Sequence, residues 1–141
     1  MPNDPPHVEP PPPKPPTLAD AKITLAAWGA QASSIAVIEA VSFSVEPYPV
    51  YGAQTTATIA ASELLRGDAA PRTVQYIGGK IGEITYRPAH EYWLDTGRVY
   101  LARFDGSSLS GLRLLDAAGN VVEQGYSFDV TAMRAVFHAG N

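Results

Sequence analysis

The sequence predicts a mostly β domain, a barrel or sandwich of short strands with a helix before them and a second, shorter helix after them. Three observations carry this. Charged residues make up only 17% of the chain, while Gly (12) and Pro (13) are abundant, a composition that suits many short strands joined by turns. Six or more runs of extended-type residues recur with turn signals between them at near-regular spacing. The chain has 141 residues, 45% of them hydrophobic, enough for one core and too few for two ordinary domains.

The elements follow in order. Residues 1–16, MPNDPPHVEPPPPKPP, hold nine of the thirteen prolines and read as an extended polyproline II tail or linker. A spacer is the plain reading. A docking peptide is the sharper one, since Pro10–Pro13 and Pro12–Pro15 satisfy PxxP spacing, as any proline run does. Residues 17–141 form the single folded domain. Thr17 suits a helix N-cap, with Asp20 three residues on near the positive helix end. Leu18, Ala21, Leu25 and Trp28 fall near helical spacing, and Gly29 supplies a stop, so a helix spans Leu18 to Trp28.

From Ser33 the period becomes two. Val41, Phe43 and Val45 alternate with Ser42, Ser44 and Glu46, the pattern of a half-buried strand. EPYPVYGA, with Pro47, Pro49 and Gly52, reads as a loop. QTTATIAASELLRG is the next strand, RTVQYIGG the third, EITYRP a weaker fourth and GRVYLARF a strong fifth. LRLLDAAGNVVEQG reads as a hairpin turning at Asp116–Asn120, and YSFDV closes the sheet. TAMRAVFHAGN allows one or two turns of C-terminal helix capped by Asp129 or Thr131.

Composition also bounds function. A net charge of −4 with dispersed Lys and Arg argues against nucleic acid as a partner, because affinity there depends on neutralising phosphates. The absence of cysteine excludes disulfides, thiolate metal sites and Cys nucleophiles. No apolar run has the length of a membrane span, and no basic-then-apolar segment of a secretion signal is read at the N-terminus.

Few motifs point to catalysis. GGKIGE (residues 78–83) lacks the Gly-Lys-Ser/Thr that opens a helix in a phosphate loop, and IGEITY reads as strand, so a turn is the better reading. His7 lies in the tail and His138 near the C-terminus. His90-Glu91 has no second histidine at helical spacing for a zinc site. Ser107, Ser108 and Ser110 form no nucleophile elbow. Glu39, interrupting an apolar strand, reads as a bulge or a water-facing edge position before it reads as a general base. No enzyme activity, metal or cofactor is implied. Aromatic residues offer more. Tyr48, Tyr51, Tyr86, Tyr92 and Trp93 fall in or beside loops. Shared at one end of a barrel, they make an amphipathic surface suited to a protein or a glycan. In the alternative, Trp93 plugs the barrel end and the tyrosines cover its rim. Tyr48, Tyr51, Tyr92 and Trp93 are the candidate binding residues, with Pro47 and Pro49 stiffening the first pair.

Several stretches match one pattern: Glu63-Leu64-Leu65-Arg66-Gly67, Val74-Gln75-Tyr76-Ile77-Gly78-Gly79, Trp93, Thr96-Gly97 and Val99–Phe104, with a strand upstream at Ile35–Val45. In order and spacing they resemble a group of bacterial, mostly extracytoplasmic domains of unknown function. That group is similar to the netrin-like fold, the OB-type barrel also found in tissue inhibitors of metalloproteinases. The resemblance covers roughly residues 33–105. It implies a small, closed or nearly closed OB-like (netrin-like) β-barrel and a secreted or periplasmic location. Those inhibitors chelate zinc through an N-terminal cysteine, which this chain lacks, so inhibition is not implied. The reading that results is a non-enzymatic protein-binding module tethered by the proline-rich arm. Its alternative is a structural component of an envelope or particle assembly, the arm packed on a neighbour.

Arg66-Gly67-Asp68 spells the tripeptide that integrins read on protruding loops. It also has a strand-ending reading: Arg66-Gly67 fills the basic-Gly slot of the resemblance, Gly67 permits a turn, and Asp68 caps it. On that reading Asp68→Glu leaves both the fold and cell attachment unchanged. Loss of integrin-dependent attachment in the variant would establish adhesion instead.

Overall fold

The computed structural model describes Pro6, residues 10–89 and residues 92–138; His7, His90 and Glu91 lie outside the described residues. The elements are α1 (Leu18–Gly29), β1 (Ser34–Tyr48), β2 (Gly52–Arg66), β3 (Thr73–Ile77), β4 (Gly79–Ile81), β5 (Ile84–Tyr86), β6 (Val99–Asp105), β7 (Ser108–Leu114), β8 (Val121–Glu123), β9 (Tyr126–Phe128) and α2 (Val130–His138). The chain is mostly β with a helix at each end, as the sequence predicts.

Helix α1 begins in a capping box. Thr17 Oγ1 accepts from the Asp20 N–H at 3.1 Å, and Asp20 Oδ2 accepts from the Thr17 N–H at 2.9 Å. Ala21, Leu25 and Gly29 form its buried stripe. Gly29 is the last helical residue and is there for space, not for a turn. A Cβ on it would meet Ile35 Cδ1 at 2.6 Å and the Phe137 ring at 2.8 Å.

Five strands form one antiparallel sheet in the order β3-β2-β1-β6-β7. A meander β1-β2-β3 whose successor β6 returns beside β1 is a Greek key. The sheet is buried on both sides. Ile35, Val37, Leu65 and Leu101 pack with α1, α2, Val121 and Phe128 on the convex side. Ala36, Ile38, Ala57, Ile59, Val74, Tyr76, Leu94, Tyr100, Ala102 and Phe104 fill the concave side. The sheet curls until edge strands β3 and β7 come within 8 Å between Cα atoms, yet no ladder joins them. Of the two expectations, closed or nearly closed, the sheet is therefore not closed: its edges meet without pairing. The seam is spanned by side chains instead: Tyr92 hydrogen-bonds β7, Trp93 packs on β3, and Leu94 is buried in the concave core.

Three further expectations change. EPYPVYGA is mostly strand, because β1 and β2 stay paired out to Tyr48↔Gly52 and only Pro49–Tyr51 turn. Tyr51 (φ 58) and Gly52 (φ 83) take the left-handed conformations that this tight hairpin requires. Val41, Phe43 and Val45 are not a core stripe: Val41 is 58% and Phe43 37% exposed. The β1–β2 register slips between Ala40 and Ser42, which leaves Val41 as a bulge, and β6 pairs β1 only as far as Glu39. The turn at Asp116–Asn120 is present, with Asp116 Oδ1 accepting from the Ala118 and Asn120 N–H groups. The strand after it, however, pairs β9 and not β7, so β8–β9 is a separate ribbon and YSFDV does not close the main sheet. Its two-residue turn, Gln124 (φ 52) and Gly125 (φ 86), is the decisive hairpin. Asp129 Oδ1 caps α2 by accepting from the Ala132 N–H at 2.8 Å.

The Arg66-Gly67-Asp68 stretch ends β2. Arg66 Nη1 donates to the Gly29 carbonyl at 2.9 Å, which ties the guanidinium to the C-terminus of α1. Gly67 (φ +85) passes against the Ser33 carbonyl, which a Cβ would strike. Gly82 (φ +61), in the β4–β5 turn, has open space around it. Gly82→Ala should therefore cost about 1 kcal/mol, the left-handed penalty alone. Gly67→Ala should cost about 2 kcal/mol more, because backbone must shift. Urea midpoints of the two variants check the difference.

Candidate functional site

Beyond Glu39 the paired strands β1 and β2 project past the end of β6. Phe43 pairs Ala57, and Val45 pairs Thr55, on the side that carries the concave core. There the sheet opens into a groove of about 240 Å³ lined by Phe43, Val45, Thr55, Tyr76, Trp93 and Leu94, with Lys80 and Asp95 on its rim. Mouths of curled sheets are common ligand sites.

Local chemistry explains its walls. Gly78 (φ 106) and Gly79 (φ 144) turn the chain sharply out of β3, so that β4 crosses the ribbon at Thr55 and Val45. Thr55, buried, donates through Oγ1 to the Gly78 carbonyl at 2.7 Å and so satisfies the kinked backbone. Trp93 tilts against Tyr76 with ring centroids 5.8 Å apart. The Arg87 guanidinium stacks 4.9 Å from the Trp93 centroid. Trp93 Nε1 donates to Asp95 Oδ1 at 3.1 Å, and the Asp95 N–H donates to the Tyr100 hydroxyl at 2.9 Å. The wall is thus held from several directions. Burial raises the Tyr76 hydroxyl above its ordinary pKa of 10.0, against contrary pulls from the Leu94 backbone and Thr55.

The four candidate aromatics divide. Tyr51 is 65% exposed at the hairpin tip, and Tyr48 is half-buried beside it. Trp93 is half-buried in the groove wall. Tyr92 instead donates its hydroxyl to the Ser110 carbonyl at 2.7 Å, which makes it a structural tie across the seam. The link between tip and groove is Tyr86, whose ring lies where a Cβ of Gly52 would be. Phe43 and Val45 are groove residues that the alternating pattern assigned to the core. No local signal marks them, because their exposure follows from where β6 stops. Glu39 is exposed, but it is neither a bulge nor an edge position, since it pairs Ala60 on β2 and Val99 on β6. Among the described residues no three His, Asp or Glu side chains gather as a metal site would require.

Two other depressions differ in kind. One of about 370 Å³ at the end of α1 is lined by Trp28, Gln31, Arg103 and Ser110. Its guanidinium is committed, with Arg103 donating to the Trp28 and Ser110 carbonyls and stacking on the Trp28 ring. The other, about 420 Å³, is an apolar cleft between α1 and α2 lined by Ile23, Ala26, Ala132 and Val136. Among the described residues no helix is long and apolar enough to cross a membrane. Comparison with protein-family models and with curated proteins finds no match to this chain.

Tyr76 links groove and stability. A raised folded-state pKa means that its contribution is intact below about pH 10 and is lost as pH rises through the higher folded value. Tyr76→Phe should flatten the fall in stability above about pH 10, measured as urea midpoints against pH.

Proposed function

We propose that this chain is a non-enzymatic protein-binding module, carried on a proline-rich arm and working outside the cytoplasm, built on an OB-like barrel of the netrin-like type. The observation that carries the binding reading is the groove. It is preformed, apolar at its floor and charged at its rim, with Phe43 37% exposed on its lip and Tyr51 65% exposed at the adjoining hairpin tip. Rigid aromatics around a small apolar pocket suit an inserted side chain of a partner protein, since little ordering is needed on binding. The curled five-stranded sheet supports the OB-like reading, because OB barrels are partly open Greek keys. The extracytoplasmic location rests on the resemblance alone.

A second reading, a component of an envelope or particle assembly, draws on the root of the arm. The Tyr126 hydroxyl donates to the Pro16 carbonyl at 3.1 Å, which aims the arm away beside β8–β9, and Pro10–Pro16 are exposed and available to a neighbour.

Trp93→Ala is a poor probe because it removes packing on Tyr76. Tyr51→Ala combined with Lys80→Glu touches only exposed groups. The double variant should weaken capture of the partner at least about tenfold in Kd, with thermal stability unchanged. Deletion of residues 1–16 should leave capture intact. Capture indifferent to the double variant would refute the groove reading. Capture lost with the arm, together with an arm protected from proteolysis, would favour assembly.

A further inference from the structure

The outer edge of β1 beyond Glu39 is an unpaired strand edge. Ladder β1–β6 ends at Glu39↔Val99, Ala40 makes one isolated bridge to Thr96, and among the described residues nothing pairs with 41–48 on that side. Natural edges of this length carry Lys, Pro or inward charges that block pairing. Here the stretch 41–45 has none of these, its one irregularity is the Val41 bulge at its start, and Val41 and Phe43 stand exposed on it. Pro47, lacking an N–H, closes the pairable stretch at one end, and the Thr96 bridge closes it at the other.

Residues 41–45 read Val-Ser-Phe-Ser-Val, the same in both directions. An antiparallel pair of identical strands has a two-fold axis, so each residue meets one at the mirrored position. With the axis at Phe43, Val41 faces Val45 of the other copy, Ser42 faces Ser44, and Phe43 faces Phe43. Apolar groups meet apolar groups, and hydroxyls meet hydroxyls. The pairing stops at Val41 and Val45, because Ala40 and Glu39 are already bridged to Thr96 and Val99 on this edge, so neither Glu39 nor Glu46 enters it. Shifting the axis to Ser44 brings Pro47, which has no N–H, opposite Val41 and sets Glu46 against Ser42, so this register loses the ladder at one end and the hydroxyl match at Ser42.

We infer that the free edge of β1 pairs with a second copy of this chain, antiparallel about Phe43, joining two five-stranded sheets into one. The inference does not rest on what the groove binds.

The chain has no cysteine, so an introduced one reports cleanly. Residues facing each other across an antiparallel pair lie about 4.5–5.5 Å apart between Cα atoms, within disulfide reach. Phe43→Cys in the full chain should give a covalent dimer under mild oxidation. Ala60→Cys, exposed on β2 but away from the edge, should stay monomeric. The unmodified chain should sediment at twice its single-chain mass, and Val41→Lys with Phe43→Lys should return it to one chain while the circular dichroism stays the same. A native chain that stays monomeric at every concentration overturns the inference. So does equal cross-linking of the two cysteine variants, a lysine double variant that remains dimeric, or a monomer whose edge takes up only an unrelated extended peptide.

Discussion

The stretch Ser34–Ile38 of β1 is buried throughout, its alternate side chains entering two different cores. That bifacial burial is the constraint from which the rest follows. A strand at the centre of a sheet with two apolar faces needs cover on both. On the convex face the two helices supply it, and both come from the chain ends, with α1 leading into β1 and α2 following β9. On the concave face the sheet covers itself by curling, with Leu94 filling the space that the curl leaves. The seam needs no ladder, because the Tyr92–Leu94 segment already spans β7 to β3.

Helix α1 has no basic residue in its last turn, so its orphan carbonyls take donors from the sheet. Arg66 at the end of β2 reaches Gly29, and Arg103 on β6 reaches Trp28. Arg103 and Arg113 both stack over the Trp28 ring, and Trp28 in turn meets Phe137 of α2. Arg113 Nη1 also lies 3.0 Å from Glu123 Oε1, an ionic contact without hydrogen-bond alignment, which draws β8 towards β7. The clamp gives Arg66-Gly67-Asp68 its place. The arginine holds a helix end and the glycine passes a carbonyl, so the tripeptide serves the fold at two of its three positions. The groove arises where this double cover ends. Past the Val41 bulge β1 outruns β6 and both helices, and side chains that would have been core become a rim.

Much of the fold is legible in local chemistry. The Thr17–Asp20 pair marks the start of α1, Asp129 marks that of α2, and the Gly-Gly at 78–79 marks the kink out of β3. Other elements are hidden for stated reasons. Pro47 reads as a loop residue, yet it fits in β1 because no strand flanks that side of it. Gln124 is a poor predictor of a left-handed turn, and it turns because Gly125 follows. Gly29 reads as a helix stop, but its role is visible only once Phe137 lies against it. Of the candidate site, Tyr51 and Trp93 are legible as loop aromatics, whereas Phe43 and Val45 are misread, since alternation records which side a residue faces and not whether anything covers it.

The sequence by itself determined the β class, the helix N-caps and the turns at Gly78–Gly79 and Asp116–Asn120, because each depends on the conformational preferences of a few neighbouring residues. Only the tertiary structure decided which strands pair, where the sheet stays open, and which aromatics are tied down. Those outcomes depend on where distant segments end relative to one another: β6 at Val99, β1 at Tyr48 and the carbonyls of α1 beside Arg66 and Arg103. No periodicity within one segment records the length of its neighbour, so the open groove and the free edge beside it are properties of the assembled sheet.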